Sequence, residues 1–225
     1  MAESPEKVVP LPVLKAGSIE DTLTGFAPQM EQNEHLGRRV ERLVTVVSVE
    51  IRGWEPVREK VGEDGALDLL NQTLERVLRA IESLGGMEVS LGGEREQPTI
   101  TATFDEDHAL RGVVAGRAAR DAATARLHPS IDERFHACVG VSSGTVVDTH
   151  VKGAGIEFQA TGTVKLFAVR LQEFAGPDQV FVCEETYRSL SSYLDVVALG
   201  PVRTSGDGET RSAYCVRGLL GDGSE

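Results

Sequence analysis

The segment Val46-Val47-Ser48-Val49-Glu50-Ile51-Arg52-Gly53-Trp54 constrains this chain more than any other. Its β-branched run suits an apolar strand, and the glycine that follows suits a tight turn out of it. A carboxylate at a strand end can hold Mg²⁺, and a glycine beside it lets backbone amides close on phosphate oxygens. Glu50 and Gly53 therefore read as half of a nucleotide site. In the competing reading, Glu50 caps the next helix or pairs with an arginine.

Composition removes several classes of partner. The chain has 225 residues and a 40% hydrophobic content, enough to pack one large domain. A formal net charge of -12 repels DNA, RNA and anionic lipid. Cys138, Cys183 and Cys215 are an odd number without CxxC or Cys/His spacing. That argues against a zinc site or a disulfide framework and fits the cytosol. His35, His108, His128, His136 and His150 form no pair at metal-ligand spacing and read as surface, strand or turn residues. No run approaches membrane-spanning length, and Met1 to Lys15 lacks the basic-then-apolar order of a leader. We expect a soluble, cytoplasmic protein with no nucleic-acid or membrane partner.

Residues 1–38 mix charge with Pro5, Pro10 and Pro12 and read as a tail or linker; residues 39–220 read as the domain, and 221–225 as a short C-terminal tail. A strand runs from Leu43 to Ile51. A helix follows with Leu67, Leu70, Leu74, Val77, Leu78 and Ile81 at helical spacing, closed by Gly85-Gly86. Met87 to Leu91 and Thr99 to Phe104 predict a hairpin with Gly92, Gly93 and Glu94 to Pro98 between the strands. A helix over Asp107 to Leu127 leads to a second predicted hairpin, in which Phe135 to Val141 meets Val146 to Val151 across Ser142-Ser143-Gly144-Thr145. Helix Val164 to Phe174, strand Gln179 to Cys183, a short helix Glu184 to Leu190 and a last strand Ser212 to Val216 complete the pattern. The order β-α-β-β-α-β describes an α+β fold with a split βαβ, ferredoxin-like core: a largely antiparallel sheet flanked by helices.

Val44 to Trp54, Gly85-Gly86, Val139-Gly140-Val141-Ser142-Ser143-Gly144 and Glu157 to Val164 leading to Ala168-Val169-Arg170-Leu171 follow one another at telling separations. Gly176 to Val180, Glu184 to Tyr187, Leu199 to Val202 and Tyr214-Cys215-Val216 continue the series. Together they resemble the catalytic domain of class III adenylyl and guanylyl cyclases from about Arg38 to Gly218, with its palm-type core. The Gly92-Gly93-Glu94 turn is also similar to that of diguanylate cyclases, which the later segments fit much less well.

The resemblance implies a site made of two metal-binding aspartates, a lysine and an aspartate or threonine that read the purine, and an asparagine and an arginine from a partner chain. The first metal position falls on Glu50, one methylene longer than aspartate, and the second on Glu94 in a soft register, with Gly93 an equal choice. The purine-reading lysine falls on Ser90 and its companion on Gln159. The ribose asparagine falls on Leu166, which makes no hydrogen bond, and only Arg170 matches unchanged. Gly53 and Trp54 belong to the phosphate turn. Trp54 is expected to pack in the core, and Glu55 brings like charge beside the phosphates.

Losing one preorganised polar contact to a transition state costs about 10²–10³ in rate. The preferred expectation is therefore an inactive cyclase-homology domain kept as a dimerising signalling scaffold, with the degenerate cleft open to a nucleotide or other small ligand. It needs no cofactor; Mg²⁺ or Mn²⁺ enters only if the site works. The alternatives are a divergent cyclase making cyclic AMP or cyclic GMP through Glu50, Glu94 and Arg170, and a tail that binds a protein partner on a dimeric platform. A head-to-tail homodimer, or a heterodimer with another cyclase-like domain, is implied by the resemblance.

Overall fold

β1 (Leu36–Arg52) is the spine of the molecule, paired antiparallel on both sides. The computed structural model describes residues 36–105, 107–127, 129, 131–151, 157–159, 162–203 and 210–220, of which 36–40, 147–151 and 157–159 by backbone alone. The expected tails, apart from the start of β1, lie outside the described residues. The other strands are β2 (Met87–Glu94), β3 (Gln97–Phe104), β4 (His136–Val151), β5 (Glu157–Gln159), β6 (Val180–Cys183), β7 (Leu194–Arg203) and β8 (Thr210–Leu219). The helices are α1 (Trp54–Ser83), α2 (His108–Thr124), α3 (Gly162–Phe174) and α4 (Glu184–Leu190). The sheet order is β2-β3-β1-β4-β6-β8-β7, with β5 on β4, and among the described residues only the β4–β6 pairing is parallel. This is the expected α+β arrangement. Among the described residues no helix is long and apolar enough to cross a membrane.

Alternation along β1 divides its side chains between two cores. Val47, Val49 and Ile51 join Trp54, Leu70, Val77, Ala115 and Ala119 under α1 and α2. Val44 and Val46 pack with Val146, Val164 and Ala168 under α3. Ser48 follows them and donates to Gln172 Oε1 of α3 at 3.2 Å. Position 50 therefore belongs to the α3 side. That helix lies very close to the sheet: a Cβ added at Gly140 would stand 2.0 Å from the Ala168 carbonyl oxygen and 2.5 Å from the Gln172 nitrogen.

The structure corrects two expectations and adds a break in the first helix. Ser142 to Thr145 are no hairpin turn: β4 runs straight through them, with Ser142 opposite Val46 and Ser143 opposite Thr45, and the return strand is β5. Ladder pairing with β1 outweighs the turn character of Ser-Ser-Gly-Thr. Nor is the segment Glu94 to Pro98 a lengthened loop. β2 and β3 extend through it and leave only Arg95-Glu96 between them, with Glu94 opposite Gln97. Finally, α1 begins at Trp54 and is interrupted at Gly62, whose φ of 78° and ψ of 172° are not helical.

Candidate functional site

Glu50 sits where β1 nears its end, level with Thr99 on β3 and Cys138 on β4. Arg52, two residues on and therefore on the same strand face, makes a direct ion pair and hydrogen bond with its carboxylate. The Glu50 side chain is 14% exposed and that of Arg52 33%, so the pair is shielded from much of the solvent. Arg52 Nη1 also donates to the Ala175 carbonyl at 3.4 Å, just beyond α3. Burial pushes the Cys138 thiol up to about 11, only partly offset by the Arg52 guanidinium. This thiol is a packed core group with no nucleophilic character.

Beside the pair, Gly53 turns the chain from β1 into α1 with a φ of 99°, and a Cβ there would meet the Arg134 carbonyl oxygen at 3.0 Å. Trp54 is buried in the α1–α2 core, as expected. Glu55 is exposed and ion-paired with Arg58, whose hydrogen bond holds its carboxyl below the usual carboxylate range. His136 faces Arg52 across the ladder, and its Nδ1 lies 2.9 Å from Asp178 Oδ2. Asp178 also accepts from the Ala137 backbone N–H at 3.2 Å and from Arg134 Nη2 at 3.3 Å. None of these partners of Asp178 was singled out by spacing.

The remaining positions do not converge on Glu50. Through Thr99, the β2 residue level with it is Gly92, which has no side chain. Glu94 lies two residues further along and two strands over, roughly 12 Å away between Cα positions. It lines a groove with Leu67, Leu70 and Asn71 of α1. Ser90 shares a 2.6 Å hydrogen bond with Thr101. Leu166 is 60% exposed on α3, and Arg170, one turn on, pairs with Glu173 at 2.6 Å. The backbone of Gln159 pairs with Asp148, but its side chain lies outside the described residues.

Seen as a whole, the arrangement has solved relatives. The adenylyl cyclase CyaB from P. aeruginosa superposes with a TM-score of 0.65 and 18% identity, covering 83% of this chain and 99% of that one. The chain has the class III cyclase fold. The guanylyl cyclase Cya2 (TM-score 0.63, 17% identity, 82% of this chain and 96% of that one) shares it. So does the non-canonical dimeric guanylyl cyclase domain of the RhoGC fusion protein from the aquatic fungus Blastocladiella emersonii (0.62, 15%, 82% and 100%). At these identities the likeness is one of fold. No protein-family model matches the sequence, and no curated protein does.

The cyclase fold implies a two-metal centre, and these residues do not fit one. Such a centre needs carboxylates gathered around ions about 4 Å apart, with Mg²⁺–O distances of about 2.1 Å. Here a guanidinium already occupies the Glu50 carboxylate, and Gly92 stands where a second ligand would face it. Among the described residues no group of three or more His, Cys, Asp or Glu is placed to hold a metal ion.

Proposed function

We propose that this chain is a non-catalytic cyclase-fold module that acts by associating with a second cyclase-like domain, its own copy or another. The observation that carries this reading is the Glu50–Arg52 ion pair, in which a fixed guanidinium supplies the positive charge that a metal ion would bring. A divalent cation on the same carboxylate would sit against the like charge of the Arg52 guanidinium, which Glu50 Oε2 and the Ala175 carbonyl both hold. The exposed Leu166 on α3 points the same way, since an isobutyl group favours a protein contact over a ribose. Association is further supported by the dimeric guanylyl cyclase domain among the solved relatives. The unpaired cysteines suit a reducing, cytoplasmic setting.

The test is a cyclase assay on the purified full chain with ATP or GTP and with Mg²⁺ or Mn²⁺, run beside an active class III cyclase. No cyclic nucleotide above the protein-free blank is expected. Turnover that disappears in Glu50→Ala overturns the reading in favour of a divergent cyclase.

A further inference from the structure

A cleft of about 390 Å³ opens at the other end of the sheet, walled by His108, Gly144, Thr163, Glu185, Ser189 and Arg211. Ser143 also lines it and pairs with Thr45, five residues before Glu50, so the cleft stands roughly 17 Å along β1 from that residue. Behind His108 runs an unbroken line of polar groups. His108 Nδ1 is 2.8 Å from Thr45 Oγ1, which is 2.7 Å from Ser143 Oγ. Ser143 Oγ is 2.8 Å from Thr186 Oγ1, which is 3.2 Å from Cys183 Sγ. All four groups behind the ring are buried. The Cys183 sulfur accepts the Ser143 and Thr186 backbone N–H groups at 3.3 and 3.4 Å, and its proton has a second acceptor, the Ser143 carbonyl, at 3.8 Å.

Each hydroxyl carries one proton, so the line has two self-consistent directions. In one, Cys183 donates to Thr186, Thr186 to Ser143, Ser143 to Thr45 and Thr45 to the ring nitrogen. In the other, the ring N–H donates to Thr45 and the last hydroxyl proton, that of Thr186, points at sulfur. A mixed state sets two protons or two lone pairs against each other in a buried site, which is costly. A neutral ring with its proton on Nε2 takes the first direction, and a charged ring, which carries a proton on Nδ1, takes the second.

We propose that His108 and this buried line form a proton-set switch: protonation of the ring in the cleft reverses all four hydrogen bonds and moves the Cys183 thiol proton from Thr186 to the Ser143 carbonyl. One proton is taken from solvent onto the ring, no bond to carbon or sulfur changes, and Cys183 stays a thiol throughout. Cys183 is also the N-cap of α4, accepting from Thr186 N, so the reversal aims a third donor at the capping sulfur. The charge on His108 is thereby coupled to the helix that carries Glu185 on the cleft wall.

Burial lowers the pKa of His108, against the pull of Asp105 and Asp107. Asp105 is itself paired with Arg42 of β1. Glu185 of α4 and Arg211 of β8 line the cleft with the ring, while among the described residues β1 and α3 bring to its wall only Leu43, Thr163 and Val164. The ring is thus neutral at pH 7 and takes up its proton only below the ordinary histidine range.

The readout is the S–H stretching band of Cys183 in the full chain carrying Cys138→Ala and Cys215→Ala, with the His108 ring followed by NMR. As the pH is lowered from about 8 through the titration of the ring, the band is expected to move to higher frequency with the same midpoint. Adding Thr45→Val should leave the ring titrating and the band still; Ser143→Ala gives the same result should Thr45→Val fail to fold. A band that ignores pH, or one that moves equally in both hydroxyl variants, overturns the switch.

Discussion

Glu50 and Arg52 are two residues apart on one strand, and side chains at that spacing share a face. That much is legible in the sequence, and pairing with an arginine stood among its readings of Glu50. What sequence did not supply is the shielding of the pair and the Ala175 carbonyl that fixes the guanidinium. Arg52→Ala would leave a half-buried carboxylate without its partner, at a cost of about 1–3 kcal/mol of stability in urea unfolding. The same variant is expected to show a Mn²⁺-dependent rise in Tm that the unaltered protein lacks and that Glu50→Gln removes again. An unaltered protein that shifts equally with Mn²⁺ would count against Arg52 as the occupant of the metal position. Arg170 has a local partner of the same kind, Glu173, three residues away on α3.

At the scale of elements, the long amphipathic helix, the α4 turn and the glycine pair after α1 were readable, because their signals are local. Strand continuity was not. Ser142-Ser143-Gly144-Thr145 has the composition of a turn, yet fourteen consecutive residues of β1, Arg39 to Arg52, and their partners on β4 define one ladder that such composition does not interrupt. β7 was missed for a related reason: Pro201 argues against a strand interior, and the structure tolerates it because β7 is the edge of the sheet. Gly140, by contrast, is read from the fold. Here α3 lies so close to β4 that any side chain would collide with helix backbone. Gly140→Ala is expected to cost about 1–3 kcal/mol or more, measured as a lower urea midpoint with an unchanged slope. A midpoint within error of the parent would show that α3 can lift from the sheet.

At the scale of the whole molecule, the outer face of α3 presents Leu166, Arg170 and Phe174, with Leu166 60% and Phe174 57% exposed. The proposed association predicts a dimer by light scattering, weakened about tenfold or more in Leu166→Asp, equivalent to about 1.4 kcal/mol. A monomer at all accessible concentrations would leave the homodimer without support and direct attention to a second cyclase-like chain.

The sequence by itself determined the α+β class, the order of the core elements and the place of Glu50 at a strand end before a glycine turn. These follow from local periodicity and residue chemistry. Only the tertiary structure decided that Arg52 neutralises Glu50 in a shielded corner, that Gly92 and not Glu94 lies level with it, and that His108 is wired to Cys183 through three buried hydroxyls. Each depends on strand register and on which face of the sheet a helix covers, and those are set by packing between segments far apart in the chain.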